Sequence, residues 1–249
     1  MRDDDRGLRN RTPEDKLREI QEMAVDFNES LLPDFARTGF SNGGNLLLGR
    51  FYAESNRIYF GLNPGLTGRE RDEFRTCLED DDGFNRPFRN PEDFNRNFQF
   101  GREFQRFLTA HPDLDRWFNN KVTSALLCPW RTKNRSALFK LDQSTNGKLF
   151  KFSSQLVWKM IEHHDAKVIV VVGLNGVHLF NELFKLRVGS PAWNYREVNA
   201  IGRSPGYAKY SVPEAGITLL QIPRFNPARR KILDSLAEWL RSALRPFGL

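Results

Sequence analysis

The side chains best placed for chemistry in this chain are amides, a hydroxyl and arginines set beside Pro and Gly, rather than thiols or imidazoles. Asn63 lies in Gly61-Leu62-Asn63-Pro64-Gly65, directly after the apolar run Arg57-Ile58-Tyr59-Phe60. Asn226 lies in Pro223-Arg224-Phe225-Asn226-Pro227, after Ile217-Thr218-Leu219-Leu220-Gln221-Ile222, with Arg229 and Arg230 close behind. Ser124 sits inside Val122-Thr123-Ser124-Ala125-Leu126-Leu127, and Arg86-Pro87-Phe88 offers a ring in a stiffened context. An amide can orient a water or bond the edge of a planar ring, but it cannot take a proton as a carboxylate does. Arginine supplies a planar fork for phosphate and a face that stacks on rings. Each residue also has an ordinary structural use. Asn63 can cap a helix or close a Pro-Gly turn, and Ser124 can bond local backbone. Phe88 is one of 21 Phe, and some of the arginines can be plain surface.

Other chemistries find no support. His111 and His178 are isolated, His163-His164 reads as the surface end of a helix, and no Cys/His spacing suggests zinc. Gly173-Leu174-Asn175-Gly176 lacks the spacing of a dinucleotide fingerprint, and neither a Gly-x-Ser-x-Gly elbow nor a phosphate-binding P-loop is present.

The elements that must position these residues alternate between two periodicities. Residues 1–12 are charged and aperiodic, and read as a flexible tail ahead of one domain over 13–249. Thr12 as N-cap and Pro13 at the first helical position start a helix through Leu17, Ile20, Met23 and Ala24, with another helical stretch over 29–35. Strands are expected at 57–60, 122–127, 167–173 and 217–222. The run Lys167-Val168-Ile169-Val170-Val171-Val172-Gly173 is apolar on both faces, as in a covered parallel sheet. Helical spacing recurs at Phe100, Phe104, Phe107 and Leu108, over 156–161, from Val177 to Phe184, and over about 230–243. A long Phe- and Asn-rich polar stretch fills residues 67–97. Strands alternating with helices predict a single-domain three-layer α/β/α sandwich with a mostly parallel central sheet. Ligands bind such sheets beyond the carboxyl ends of the strands, which is where Asn63 and Asn226 fall.

A chain of 249 residues with 39% hydrophobic residues is long enough to build one core without a disulfide or structural metal. Two cysteines, Cys77 and Cys128, are too few for a disulfide framework and point to a reducing compartment. No apolar run is long enough to cross a bilayer and the N-terminus does not read as a secretion signal, so a soluble intracellular protein is expected. The net charge of +7 favours polyanionic partners, with Arg224, Arg229, Arg230 and Lys231 gathered near the end.

In this setting Gly61-Leu62-Asn63-Pro64-Gly65 resembles the first motif of the uracil-DNA glycosylase superfamily, in the form found in its mismatch-specific and single-strand-selective branches. Other motifs follow in order. Arg86-Pro87-Phe88 resembles the element of the iron–sulfur branch that presents a ring to the flipped base. The run 122–128 resembles the strand with the base-reading residue, Val170-Val171-Val172-Gly173 the third strand, and Ile222-Pro223-Arg224-Phe225-Asn226-Pro227-Ala228 the last motif. The resemblance spans roughly residues 55–240.

It implies a uracil-DNA-glycosylase-like fold and a monofunctional DNA glycosylase. Such an enzyme flips a damaged, deaminated or modified base and hydrolyses its N-glycosidic bond, leaving an abasic site. Asn63 and Asn226 would be catalytic. Gly61, Leu62, Phe88 and Ser124 would hold the base, and Pro64, Gly65, Arg224, Arg229 and Arg230 would contact DNA. No Lys occupies a matched position to form a Schiff base. DNA is the implied partner and the chain is expected to be monomeric, without cofactor, metal or membrane contact, in the cytoplasm with the nucleoid or in a nucleus. Two positions depart from the family pattern. Ser124 stands where an Asn usually reads uracil, and Asn226 where a His is usual, so uracil itself is not the expected best substrate. The four cysteines of the iron–sulfur branch are not present, which excludes its cluster by count. A binding module that kept the fold and lost the chemistry remains an alternative, as does a hydrolase of free nucleosides. DNA repair and defence against foreign modified DNA are both open.

Overall fold

Five consecutive β-branched residues, Val168–Val172, cannot present a polar face, so they belong in the middle of a sheet with helices on both sides. The computed structural model of the protein places them there. It describes residues 12–38, 43–47, 51–52, 55–62, 74–75, 99–119, 122–132, 134–188, 194–201, 204–212, 215–225 and 233–249. In chain order the elements are α1 (Pro13–Thr38), β1 (Gly44–Asn45), β2 (Arg57–Gly61), β3 (Phe74–Arg75), α2 (Gln99–Ala110), α3 (Pro112–Asn119) and β4 (Thr123–Leu126). Then follow α4 (Arg135–Ser144), α5 (Lys148–His163), β5 (Val168–Val172), α6 (Gly173–Val188), β6 (Asn194–Ile201), β7 (Ser204–Val212), β8 (Ile217–Ile222) and α7 (Leu233–Leu244).

Six strands form one sheet in the order β4-β2-β5-β8-β7-β6. The first four are mutually parallel, and β7 and β6 run antiparallel as a hairpin at one edge. Alternation along the strands divides the interior in two. Ile58, Phe60, Ala125, Ile169, Val171 and Leu219 face α1, α4, α5 and α6. Tyr59, Val122, Val168, Val170, Leu220 and Ile222 face α2, α3 and α7. The result is the expected three-layer α/β/α sandwich. Among the described residues no helix is long and apolar enough to cross a membrane.

Local chemistry explains the helix starts. The Asp15 N–H donates to Thr12 Oγ1 (3.1 Å), while Thr12 donates from N and Oγ1 to Asp15 Oδ2 (3.2 and 2.8 Å), a reciprocal cap ahead of Pro13. At α4 the Asn134 side chain accepts from the Ala137 N–H. The Asp113 carboxylate takes two bonds from Arg241 (2.6 and 3.0 Å), tying α3 to the last turn of α7; the Arg241 guanidinium draws its pKa down to about 2.

Four expectations need correction. The helix over 29–35 is not separate but continues α1, because Ile20, Ala24, Leu31 and Phe35 extend one buried face across Pro33. Helices α3 and α4 went unread. So did the hairpin β6–β7, which makes two of the six strands antiparallel. Its strands are mostly polar, Pro205 and Gly206 interrupt the second, and the register slips twice, between Tyr195/Glu197 and Asn199/Ala200, so no clean alternation is legible. Finally, His163 and His164 are not surface residues. They are 9% and 3% exposed, because the end of α5 tucks beneath Phe51, whose ring centroid lies 4.8 Å from that of His164. His163 Nε2 lies 3.1 Å from Glu19 Oε2, and Lys159 holds the other oxygen of that carboxylate at 2.6 Å. The tail over 1–11 lies outside the described residues.

Candidate active site at the carboxyl edge

Parallel strands joined by helices leave their carboxyl ends open at one edge of the sheet. Numbered by the chain, the four parallel strands lie in the order second, first, third, fourth. The chain therefore leaves β2 toward β4 on one side, and leaves β5 toward β8 on the other. By strand order the reversal falls between β2 and β5, the position at which sheets of this kind take their ligands.

Gly61 and Leu62 stand at the carboxyl end of β2, beside that point. Gly61 is the last residue of β2 and pairs with Leu126 of β4. The ladder then runs on past both strands, since the Leu127 N–H donates to Gly61 O (2.9 Å) and the Cys128 N–H donates to Leu62 O (3.1 Å). The backbone entering residue 63 is thus held on one side by three consecutive residues, Leu126, Leu127 and Cys128. Asn63, Pro64 and Gly65 themselves lie outside the described residues, as do Phe88, Asn226, Arg229 and Arg230.

Ser124 pairs with Tyr59 in the interior of β4, two positions before the strand's end, and is 3% exposed. By alternation its side chain shares the face of Val122 and Tyr59. The Tyr59 ring stacks with Phe104 of α2 at 6.1 Å, and burial pushes its phenol well above the ordinary tyrosine range. Ser124 therefore lies buried below the carboxyl edge rather than on it.

The segment after β8 is pinned by one ring. Phe225 is 2% exposed and meets Phe104 (4.9 Å) and Phe107 (5.1 Å), while Pro223 is buried and Arg224 between them is exposed. Arg224 is accordingly presented to solvent at the edge where Asn226 follows. The structure so brings Gly61, Leu62 and Arg224 to one end of the sheet, with Ser124 in its interior.

Next to β8 the hairpin stands higher than the rest. Pairing between β7 and β8 ends at Ala208 and Gln221, whereas β6 and β7 stay paired out to Ile201 and Ser204. Three residues of β7 before Tyr207 project past the carboxyl edge, roughly 10 Å of strand. On the opposite flank the segment 43–47 covers the outer edge of β4, with the Leu126 N–H donating to Leu46 O (3.3 Å) and the Arg131 N–H to Gly43 O (2.9 Å). The parallel pair β1–β3 anchors Phe74 there, against Trp130 (5.8 Å), and Trp130 in turn donates from Nε1 to Asn28 Oδ1 (2.9 Å).

Cys128 is fully buried and its thiol is pushed up to about 12 by burial, so it is a packing residue with no thiolate to offer. Among the described residues no group of three or more His, Cys, Asp or Glu side chains is placed to hold a metal ion. Sequence reasoning missed two buried charges. Arg131 is 3% exposed in the loop leaving β4, and Glu103 is 7% exposed on α2. Neither stands out in the sequence, since an Arg after a strand and a Glu in a helix are ordinarily solvated. No protein-family model matches the chain, and no curated protein matches it either.

Proposed function

We propose that this protein is a monofunctional DNA glycosylase, which hydrolyses the bond between deoxyribose and a damaged, deaminated or modified base after flipping that base out of the helix. The observation that supports it most is the order of the parallel strands. Four of the five segments whose motifs resemble the uracil-DNA glycosylase superfamily contain the four parallel strands. The carboxyl ends of those strands lie along one edge, and Gly61, which opens the first motif, ends the strand beside the point where the strand order reverses.

Hydrolysis of this bond builds positive charge on the sugar and negative charge on the departing base. Asn63, entering from the braced end of β2, would orient the attacking water, and Asn226 would donate to a carbonyl oxygen of the leaving base. Phe88 would stack on that base. Arg224, exposed beside the pinned Phe225, would bond a phosphate together with Arg229 and Arg230, with Pro64 and Gly65 approaching the backbone. Ser124 offers one small hydroxyl where a bidentate amide would read uracil, which leaves room for a bulkier base. The protein would act as a monomer on DNA inside the cell, without a cofactor.

The experiment is mass spectrometry of bases released from single- and double-stranded DNA carrying a broad set of natural and phage-type modified bases, with alkali cleavage to count abasic sites. Release from at least one substrate, lost in Asn63→Ala while salt-dependent DNA binding persists, is the expected outcome. Binding without release from any substrate refutes the enzyme and leaves a DNA-binding module. Release from free nucleosides in preference to DNA refutes both.

A further inference from the structure

We propose that Arg135 binds a phosphate of the DNA backbone at the carboxyl edge of the sheet, with Asn175 and Phe139 holding its guanidinium in place; this rests on the reading above that the protein acts on DNA. Gly173 opens α6 directly after Val172 ends β5, so Asn175, two residues on, stands at the carboxyl end of β5. Arg135 is the first residue of α4, at the end of the connection that leaves β4. Its Nη1 donates to Asn175 Oδ1 (3.3 Å), which brings the guanidinium to the same edge. Strands β4 and β5 are the two neighbours of β2, so this bond joins the segments that leave both strands flanking Gly61 and Leu62.

The guanidinium is held there without being neutralised. Its central carbon lies 5.0 Å from the centroid of the Phe139 ring, one turn along α4, and that ring meets the buried Phe150 edge-on at 5.0 Å. The one polar side chain that holds it is a neutral amide, and among the described residues no carboxylate pairs with it. Arg37, Arg106 and Arg241, by contrast, each meet an Asp or Glu. An arginine fixed by a ring and one amide, with the rest of its fork unused, is arranged for an oxyanion, whose two oxygens the planar fork can bond together.

The charge distribution along the sheet points to a chain of phosphates rather than a single small anion. The described residues that leave the four parallel strands, 62, 127–132, 134–137, 173–178 and 223–225, include Arg131, Arg135 and Arg224 and no Asp or Glu. At the opposite edge Glu162 and Asp165 precede β5, and both are exposed. Arg224 follows β8, the other neighbour of β5, whose end lies about 5 Å away. One small anion needs one such cation. Arginines spread along an acid-free edge fit a polyanion, whose counterions they displace.

The test measures binding of the full chain to fluorescein-labelled unmodified DNA, single- and double-stranded, by anisotropy across a salt series, with folding checked by circular dichroism and thermal unfolding. Arg135→Gln is expected to reduce the slope of log K against log salt by about 1 and to weaken binding about 5–10-fold at about 0.1 M salt, whatever the DNA sequence. Arg135→Lys keeps the charge but not the fork, so it should keep the slope and bind between wild type and Arg135→Gln. Asn175→Ala should also keep the slope and weaken binding less than Arg135→Gln does. Lys185→Gln, toward the other end of α6, should match wild type. A slope unchanged in folded Arg135→Gln overturns the proposal, since a merely structural tie between α4 and α6 would lower the melting temperature and leave the slope alone. An equal loss in Lys185→Gln overturns it too, because the effect would then be one of net charge. Tighter binding to an RNA strand of the same sequence overturns the assignment to DNA. If wild type shows no salt-dependent binding, the DNA reading itself has failed, which the wild-type arm reports separately. Binding that depends on Arg135 with no base released supports this inference and refutes only the enzyme.

Discussion

Replacing Phe225 by Ala tests whether one ring holds the exit of β8 against the body of the protein. The side chain is 2% exposed and lies 4.9 Å from Phe104 and 5.1 Å from Phe107, centroid to centroid. Truncating a buried Phe to Ala costs about 3–5 kcal/mol, from lost transfer free energy plus the cavity left behind. Each ring pair accounts for about 0.5–1.5 kcal/mol of that total. In a domain of this size each kcal/mol moves the melting temperature by about 2–4 °C, so Phe225→Ala should melt about 6–20 °C below wild type. Phe225→Leu keeps most of the apolar burial and loses only the ring geometry, so it should cost about 1–3 kcal/mol. Thermal unfolding followed by circular dichroism and calorimetry measures both. A Phe225→Ala protein melting within about 2 °C of wild type, or a Leu variant as damaged as the Ala one, would refute the reasoning.

Burial draws His164 down to about 4, below the ordinary histidine value of 6.5, so the unfolded chain binds the proton more readily than the folded one. Stability should then fall as pH drops from 6.5 toward 4, by about 2 kcal/mol at pH 5, and His164→Phe should flatten that slope in urea titrations at pH 7 and 5. His163, lowered chiefly by burial, acts in the same direction. Gly44→Ala should cost about 1–3 kcal/mol by chemical denaturation, because the added Cβ would lie 2.5 Å from Pro129 O and 2.9 Å from the Phe74 ring. Ser124→Asn should raise uracil release relative to other bases in a competition assay, while overpacking beside Tyr59 costs about 1–3 kcal/mol; unchanged base preference in a folded variant would place Ser124 outside base reading.

The four parallel strands were legible because each has a short, strong pattern. Ile217–Ile222 falls where the apolar run predicts it, and the Val-rich run occupies the doubly covered middle of the sheet. Cys128 is buried for the same reason, sitting between an apolar strand and Trp130. The histidine pair was misread because its burial comes from Phe51 and the segment before β2, more than 100 residues away in sequence. The β6–β7 hairpin was missed because an edge strand pairs through its backbone, which asks little of its side chains, and its bulges break the alternation that periodicity depends on.

The sequence by itself determined the fold class and the order of the four parallel strands along the chain, since apolar runs and helical spacing are local and need no partner to be read. It also marked Gly61-Leu62-Asn63-Pro64-Gly65 as a strand exit with an amide in it. Only the tertiary structure decided which strand ends share an edge and that the strand order reverses between β2 and β5, because the lateral order of strands depends on connections rather than on composition. It alone placed Ser124 beside Tyr59 in the sheet interior, Phe225 as the pin of the last segment and Glu103 as a buried carboxylate. Whether a charge is solvated or buried depends on what packs over it, and that is set by parts of the chain far away in sequence.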